Sequence, residues 1–499
     1  MHLEKEYMYR KEQKTQLSFD DFYLPFGGSL NQKNRWVVLA ALVPWEKFES
    51  KYAEQFSESG MGAPAKSFRI ALGSLLIKEK LNITDEETID QIRENPYLQY
   101  FIGMEGYRDE IPFDSSMMVH FRKRITLAML GEINDQIQEA YSKKKAHKEN
   151  SIQQNTIETT TNQGKLLVDA TCTPADIRYP TDLSLLNEAR EKTEVIIDRL
   201  HDELKGTEKK VRTYRIKARK EYLKVSKKRR KGEKELRRAI RKQLSYVKRN
   251  LLYIKYLESK TSFVSLSKKQ YRDLLVCSEV YRQQELMYRK KDHQVEDRIV
   301  SISQPHVRPI VRGKAGAAVE FGAKLTISVV AGFTCIEKLS WDNYNEGIDL
   351  IEQIEKYKKR FGYYPESVHG DKIYQNRTNR KYCKENNIRM SGPQLGRPTK
   401  EKEELREKKK ITKQDEKDRI PVEGKFGNAK RKYGLNRIMA KRADTSETTI
   451  AIIILVLNLE RILSGFLLVF LILQIIRSYY KKNNVEKKVR NTFNPGLAA

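Results

Sequence analysis

Hydrophobic residues recur at helical spacing in the first part of the chain, over residues 68–126. The stretch "FRIALGSLLIKEKLN" has this spacing, and in "TDEETIDQIREN" Thr84 precedes Glu87 by three residues, the spacing of a capping box. Pro96 ends that second segment, and a third begins near Asp114 in "PFDSSMMVHFRKRI". The pattern therefore predicts three short helices.

The third predicted helix ends in three consecutive cations, Arg122, Lys123 and Arg124. Short helices with a basic third member are compatible with a DNA reader of the helix-turn-helix type. An ordinary helical bundle with a solvated charged face explains the same pattern equally well. The three cations are therefore candidate DNA contacts, and both interpretations stay open.

A polar stretch, residues 142–164, separates these helices from "GKLLVDAT", which has the pattern of a buried strand. A long helical pattern follows, over residues 183–291. Strand patterns then return as "VEFGAKLTISVV" and "FTCIEKLSW", a hairpin that turns at Ala331 and Gly332.

The hairpin is followed by alternating helices and strands. The amphipathic helix in "YNEGIDLIEQIEKYKKRFG" ends at Gly362, and "PESVHGD" is a short strand that ends at Asp371. A helix in "QNRTNRKYCKENN" precedes another short strand, "IRMSGP". Residues 396–418 are so highly charged that we expect them to be mobile.

Without the long helical insertion, this order matches a ribonuclease-H-like domain, so the predicted fold class is α/β. It comprises a mixed sheet with flanking helices, an all-α N-terminal domain and a long basic helical insertion. The first and fourth strands of such a sheet are central neighbours, which would bring Asp169 close to Asp371. We predict a helical DNA-binding domain (1–141), a polar linker (142–164), a catalytic domain (165–480) interrupted by the basic insertion (181–305), and a basic tail (481–499).

Composition indicates a polyanionic partner. The 499 residues include 96 Lys and Arg against 66 Asp and Glu, a net charge of +30, and nucleic acid is the usual reason for such an excess. The four cysteines form no C-x-x-C pair, which argues against zinc and against a secreted disulfide scaffold. With an N-terminus too polar for a signal peptide, we expect a cytoplasmic, nucleoid-associated bacterial protein.

Half of the excess charge lies in a tenth of the chain. Residues 201–250 hold 21 Lys and Arg against 6 Asp and Glu. A solvated coiled-coil face would balance the two signs, so the imbalance favours contact with phosphates. The candidate DNA contacts here are Lys217, Arg219, Lys227, Lys228, Arg229, Arg230, Arg237 and Arg238.

The apolar stretch over residues 449–476 is long enough to suggest a membrane span. Asn458, Glu460 and Arg461 divide it, whereas a span needs roughly 20 apolar residues with almost no charge. We expect a helix buried in the catalytic domain and no membrane partner. A membrane-associated basic protein is the alternative that this segment alone favours.

Asp169 and Asp371 would repel each other if they were neighbours, unless a cation lay between them. Mg²⁺ prefers carboxylate and water oxygens, Mn²⁺ can substitute for it, and a metal pair supports phosphodiester cleavage. Glu423 is the candidate third carboxylate, because Arg419 and Lys430 share its helical face and could bind a phosphate. A surface salt bridge between Arg419 and Glu423 is the alternative explanation.

Six segments in order resemble the DDE transposases of bacterial insertion sequences, in the broad group that includes insertion sequences four and five. They are "LLVDAT", "RPIVRGKAGAAVEFGAKLTIS", "KLSWDNYNEG", "GDKIY", "IRMSGPQLGRP" and "VEGKFGNAKRKYGL", and the resemblance covers about residues 65 to 460. The resemblance implies that Asp169, Asp371 and Glu423 are the acidic triad. Arg419, Glu423 and Lys430 match a Tyr, Arg, Glu, Lys signature, but Glu416 stands where its tyrosine is expected, which leaves that role unfilled or filled by another residue such as Tyr433.

The function implied is that of an enzyme that binds the ends of an element, cleaves them in a Mg²⁺-dependent reaction and joins them to target DNA. Its partners would be double-stranded DNA at the element ends and at the target, and a second copy of itself when DNA is bound. A transposase relic that binds DNA without catalysis is the alternative.

Overall fold

The protein is described here from a computed structural model, which covers residues 21–25, 27–56, 64–150, 162–314, 317–392 and 402–465. Helices and strands both contribute to the fold. The helices are α1 (Arg35–Ala40), α2 (Trp45–Ala53), α3 (Phe68–Leu81), α4 (Asp85–Glu94), α5 (Pro96–Phe101), α6 (Met117–Arg124), α7 (Leu127–Asn150), α8 (Asp182–Asp202), α9 (Arg215–Ser226), α10 (Glu233–Glu258), α11 (Lys268–Lys290), α12 (Leu350–Phe361), α13 (Arg377–Glu385), α14 (Lys402–Lys432) and α15 (Ala443–Gly465). The strands are β1 (Lys165–Pro174), β2 (Arg308–Lys314), β3 (Ala317–Val330), β4 (Phe333–Ser340), β5 (Ser367–His369) and β6 (Arg389–Met390).

The predicted helices of the N-terminal part are present, and their ends follow capping chemistry. The Ser67 side chain accepts a hydrogen bond from the Ile70 backbone at the start of α3, and Thr84 accepts one from Glu87 at the start of α4. These caps satisfy backbone N–H groups that have no partner within the helix. The third predicted helix, α6, begins later than expected, at Met117, without a side-chain cap.

The six strands form one mixed sheet in the order β2-β3-β1-β5-β6, with β4 also paired to β3. β3 runs antiparallel to β1, with Asp169 opposite Ile327, while β5 runs parallel to β1, with His369 opposite Leu167. The first strand therefore lies beside the strand that ends near Asp371, as the sequence predicts. β2 is an additional strand that the sequence analysis did not identify, and it pairs with the first half of β3.

Alternating residues of β1 supply two different cores, one on each face of the sheet. Leu166 and Val168 pack with Leu350 and Ile354 of α12 on one face. Leu167 packs on the other face, in a larger core shared by β3, α14, α15 and the N-terminal helices. The period-two pattern of the strand therefore fixes which helices cover each face.

Four helices, α8 to α11, form the insertion between β1 and β2. Leu186, Val247 and Val280 are buried between α8, α10 and α11. Thr181 and Ser267 form capping boxes at the starts of α8 and α11. The insertion has apolar cores of its own, which agrees with the helical region predicted between residues 183 and 291.

α15 is the apolar helix that could be taken for a membrane span. It is the one helix within the described residues that is long and apolar enough to cross a membrane, and 78% of its apolar window is buried inside the fold. Ile453 and Val456 lie in the larger core, in contact with the N-terminal helices and the sheet. The expectation of a buried helix is met for residues 443–465, while residues 466–480 lie outside the described part of the chain.

The structure differs in part from what the sequence predicts for the charged segment 396–418 and for the polar linker 142–164. Residues 402–418 form the first half of α14, so the expectation that residues 396–418 are mobile is wrong for this part. α7 continues to Asn150, so the predicted linker of residues 142–164 begins inside a helix, while residues 151–161 and the tail 481–499 lie outside the described residues. The division into domains stays a prediction.

Candidate active site

Asp169 lies on the central strand of the sheet. It is half-buried on β1, and its Oδ1 accepts a hydrogen bond of 2.8 Å from the backbone N–H of Ala170. The two preceding positions, Leu167 and Val168, are buried on opposite faces. The apolar run therefore holds a carboxylate in the middle of the sheet instead of at its solvent edge.

Asp371 follows β5 by two residues and begins a short 3₁₀ turn, Lys372–Tyr374. Its side chain is more than half exposed and pairs with Arg419. The preceding Gly370 permits this path, because a Cβ there would lie 2.9 Å from Val168 Cγ2 and 2.8 Å from a ring carbon of Tyr374. The backbone at this strand end is therefore closely packed.

Glu423 is exposed on α14, the same helix that carries Arg419 and Lys430. Pro421 lies inside this helix and cannot donate the helical hydrogen bond to the carbonyl four residues earlier. The helix nevertheless continues to Lys432, so Arg419, Glu423 and Lys430 lie on one helix, as predicted. Arg419 forms an ion pair with Asp371 rather than with Glu423.

Ion pairs to three strands hold the first half of α14 on the sheet. Arg389 on β6 donates two hydrogen bonds to Asp415, of 2.9 and 2.8 Å. Lys165 at the start of β1 donates one of 2.6 Å to Asp418. Together with the Arg419 pair at the end of β5, these bonds fix the register of α14 and the position of Glu423.

Asp169, Asp371 and Glu423 line a single open cavity of about 960 Å³, with Arg419 and Lys430 also on its wall. The structure thus brings all five predicted residues to one cavity. It adds residues that the sequence analysis missed, among them Lys324 and Glu346, which form an ion pair on the wall. A lysine in a strand gives no sequence signal of its own, although Glu346 belongs to the quoted "KLSWDNYNEG" segment.

The carboxylates of the cavity interact electrostatically. Burial raises the pKa of Asp169 to about 6, and the negative charges of Asp371 and Glu423 contribute to this rise, while Arg419 opposes it. A nearby cation favours the charged form of a buried carboxylate and offsets repulsion from other carboxylates. Oxygen ligands from three carboxylates at one cavity fit a hard divalent cation.

A second group of potential ligands lies behind the cavity, beneath α14. Within the described residues, His369, Asp415 and Asp418 have ligand atoms that all lie within 4.8 Å of one another. Asp415 and Asp418 already pair with Arg389 and Lys165, however. His369 is fully buried, and its Nε2 lies 2.9 Å from Ser367 Oγ, so a structural role accounts for this histidine.

The expected tyrosine of the signature is replaced, and the structure limits what can fill its place. Glu416 is exposed beside a neighbouring cavity that also contacts Asp371 and Arg419. Tyr433 is buried in the larger core and does not line the main cavity, so the suggestion that it fills this role is wrong.

The three cations at the end of α6 have different environments. Arg122 is only 6% exposed and pairs with Asp85 at the start of α4. This correction removes Arg122 from the candidate DNA contacts, because its guanidinium already has a buried partner. Arg124 lies over the Phe56 ring at 4.3 Å, and Lys123 is exposed.

The basic residues of the insertion also divide into two groups. Arg237 lies 4.2 Å over the Tyr288 ring and donates to the Tyr288 carbonyl, and Lys228 pairs with Glu235. Arg237 is therefore occupied in packing α10 against α11. The remaining candidates are exposed on the surface of α9, α10 and the loop between them: Lys217, Arg219, Lys227, Arg229, Arg230 and Arg238.

Two family models and one curated protein are similar to parts of this chain. A family model described as "Transposase DDE domain" matches residues 368–460, and one described as "Transposase domain" matches residues 26–124. The chain is 31% identical over 160 residues to the "Uncharacterized protein ORF8 in nfe locus" of Rhizobium meliloti, which covers 32% of this chain and 71% of that protein. No solved structure matches.

The matched DDE region begins in β5, one position before His369, and ends within α15, so it contains Asp371, Arg419, Glu423 and Lys430. The second region contains α1 to α6. The chain belongs to the DDE transposases of insertion sequences. Members of this family generally use a divalent metal ion.

Proposed function

We propose that this protein binds the two ends of an insertion sequence, cleaves the DNA there and joins the released 3′ hydroxyls to target DNA. The observation that carries the proposal is the meeting of Asp169, Asp371 and Glu423 at one cavity, although they are far apart in sequence. The strand order, with β5 beside β1 and the β3–β4 hairpin on the other side, supports a ribonuclease-H-like catalytic domain.

Asp169, Asp371 and Glu423 are the residues that would hold Mg²⁺, for which Mn²⁺ can substitute. The bound ions would activate the attacking oxygen and stabilise the leaving oxygen of an in-line displacement at phosphorus. Water as the attacking group gives cleavage, and a 3′ hydroxyl gives strand transfer. One constellation of carboxylates therefore suffices for both steps.

The protein's own cations have separate tasks in this scheme. Arg419 and Lys430 lie on the cavity wall and would bind the phosphates beside the scissile bond. The exposed cations of α9 and α10 would bind the backbone of the same duplex further away, without regard to sequence. Lys123 and Arg124 at the end of α6 are the proposed contacts that distinguish the element ends.

The test uses double-stranded DNA that carries the sequences flanking this gene, with Mg²⁺ or Mn²⁺. The wild-type chain should nick or cut the element ends, and Asp169→Asn, Asp371→Asn and Glu423→Gln should each reduce the rate about a thousandfold, which corresponds to about 4 kcal/mol of transition-state stabilisation. Binding of the same DNA without metal should change little. Binding by the wild type without any cleavage would support a relic instead, an alternative that Glu416 in place of tyrosine favours.

Two further features belong to the proposal. Synapsis of two element ends requires two active sites, so we expect the protein to form a homo-oligomer on DNA. Its substrate places it in the cytoplasm, at the nucleoid, and the burial of α15 supports this assignment against a membrane one.

A further inference from the structure

The active-site cavity extends over both faces of the central strand. β5 pairs with β1 only from Lys165 to Leu167, so within the described residues β1 has no neighbouring strand on that side beyond Leu167. All four residues over 169–172 of β1 line the cavity, although successive side chains of a strand point to opposite faces. The cavity therefore passes around the open edge of β1 from one face to the other.

One wall of the cavity is basic. α14 covers the face of β1 on which Leu167 and Asp169 lie, because Leu167 and Val422 are buried in the same core. From this helix, Arg419 and Lys430 reach the cavity. Cations on this wall suit the phosphates of a DNA strand, and phosphate contacts carry no sequence information directly.

The loop of residues 343–346, between β4 and α12, forms the wall on the other face. Lys324 of β3 holds it there: Leu325 is buried in the larger core, so the adjacent Lys324 points to the opposite face of the sheet. Lys324 donates a hydrogen bond of 2.6 Å to the Tyr344 carbonyl oxygen and pairs with Glu346. The charges of Lys324 and Glu346 offset each other, so this loop wall carries no net charge.

The loop wall is held in place from two sides. Tyr344 Oη lies 2.6 Å from Thr326 Oγ1, and Thr326 is fully buried on β3. Gly347, directly after the wall, packs so closely on the turn after Asp371 that a Cβ there would lie 2.2 Å from the Ile373 carbonyl oxygen. Groups on this loop therefore keep a fixed position relative to Asp371.

Asn343 and Asn345 bring amide groups to the loop wall, and both residues are exposed. Asn345 Oδ1 accepts a hydrogen bond of 3.0 Å from the Gly347 N–H, so this amide serves the loop itself. The Asn343 side chain has no hydrogen-bond partner among the residues that the structure describes. An amide has both donor and acceptor groups and can form two hydrogen bonds with the edge of a base. Asn343 therefore offers both groups to a ligand in the cavity.

We propose that Asn343 is a specificity-determining residue, whose amide contacts the edge of the base pair next to the cleaved phosphate. The proposal rests on the proposed function, because it assumes that the cleaved phosphate lies at Asp169 and Asp371. The phosphates of the strand end lie along the basic wall of α14, and the base pair lies against the loop wall. The cavity thus separates positioning by cations from recognition by an amide. This second point of sequence recognition lies at the site of the reaction and adds to that of Lys123 and Arg124.

The experiment measures initial rates of Mg²⁺-dependent cleavage by the full chain on four DNA duplexes, at DNA concentrations below saturation. One duplex carries the native element end from the sequence that flanks the gene. The other three carry each alternative base pair next to the cleaved phosphate. The wild type should cleave the native end about 10-fold faster than the alternatives, as expected for one base contact. Asn343→Ala should cleave all four at similar rates, because it loses the advantage on the native end only.

Asn436→Ala is the matched control. Asn436 is also exposed, between α14 and α15, and does not line the cavity. This variant should keep the wild-type preference for the native end, and both variants should keep the wild-type free energy of unfolding. An equal reduction on all four duplexes in Asn343→Ala would assign its amide to a phosphate and overturn the proposal. An unchanged preference for the native end in Asn343→Ala would also overturn it.

Cleavage by the wild type separates failure of this inference from failure of the proposed function. Equal rates of wild-type cleavage on all four duplexes would refute the role of Asn343 and leave the proposed cleavage standing. No metal-dependent cleavage of any duplex would refute the proposed function and the role of Asn343 with it.

Discussion

Asn458, in the middle of an apolar helix, forms hydrogen bonds with both backbone groups of Thr334 on β4. Its Oδ1 accepts from the Thr334 N–H at 2.8 Å, and its Nδ2 donates to the Thr334 carbonyl oxygen at 2.7 Å and to Asn134 Oδ1 at 2.6 Å. Asn458 is fully buried. The polar residue that interrupts this segment in sequence therefore joins α15 to the edge of the sheet and to α7.

Replacement of Asn458 by leucine should lower the free energy of unfolding by about 3 kcal/mol, because the Thr334 N–H and carbonyl would be left buried without this partner. Urea unfolding followed by circular dichroism would measure the change. Asn428→Leu on the exposed face of α14 is the control and should change stability by less than about 0.5 kcal/mol. An Asn458→Leu protein as stable as the wild type would show that these hydrogen bonds contribute little to the stability of the fold.

Arg122 and Lys123 are adjacent but should affect different properties. Arg122→Gln should lower the free energy of unfolding by about 3 kcal/mol, because it breaks a buried ion pair with Asp85. Lys123→Gln should leave stability unchanged and weaken binding to element-end DNA. A stable Arg122→Gln protein with altered end preference would restore Arg122 to the DNA-binding group.

The exposed cations between α9 and α10 should determine how DNA binding depends on salt. Combined Lys227→Gln, Arg229→Gln and Arg230→Gln substitutions should weaken binding to all sequences and reduce the slope of log affinity against log salt by up to about 3, at about 0.9 per phosphate contact. Fluorescence anisotropy at several salt concentrations would measure this slope.

The control for this triple variant removes the same charge from elsewhere on the surface. Lys358, Lys359 and Lys381 are exposed on α12 and α13. Their replacement by glutamine should leave the slope nearly unchanged. Equal slopes in the two triple variants would mean that the insertion binds DNA no better than the rest of the surface.

His306 should make stability depend on pH. Burial, and then the charge of Arg308, lowers its pKa to about 4 from an ordinary value near 6.5. Between pH 6.5 and pH 4, His306 is therefore protonated in the unfolded chain and neutral in the folded chain. The stability present above pH 6.5 is lost as the pH falls toward 4. Between pH 7 and pH 4.5 this loss is at most about 2 kcal/mol.

His306→Gln removes this titration, so its free energy of unfolding should fall by about 2 kcal/mol less than that of the wild type over the same range. Urea unfolding of each protein at pH 7 and at pH 4.5 measures the two changes in the free energy of unfolding. The carboxylates that titrate in this range contribute equally to both proteins. A parallel loss in the two proteins would show that His306 is accessible to protons in the folded state.

Local signals in the sequence sufficed for much of the sheet and its helices. Ala331 and Gly332 both adopt positive φ in the β3–β4 turn, and Gly362 ends α12 in the left-handed conformation. These are turns and helix ends that glycine and its neighbours specify within a few residues. Asp371, which lies at the end of a short strand, was predictable for the same reason.

Features that depend on distant partners were not predictable in this way. The first half of α14 has no apolar pattern strong enough to indicate a buried face, and Asp415 finds its partner Arg389 only once β6 is in the sheet. Arg122 has the same sequence signal as an exposed cation, and its burial depends on Asp85. Lys324 on the cavity wall is likewise defined by Glu346.

The larger core has a consequence for synthesis of the protein on the ribosome. It joins α3 and α6 to α15: Thr448 Oγ1 donates to the carbonyl oxygens of Arg122 and Ile125, each at 3.0 Å, and Glu460 pairs with Lys80. At about 5 to 20 residues per second, translation separates α3 from α15 by roughly 20 to 80 s. During that interval the nascent N-terminal helices lack part of their apolar cover, so a chain that terminated before α15 would expose this surface to chaperones and proteases.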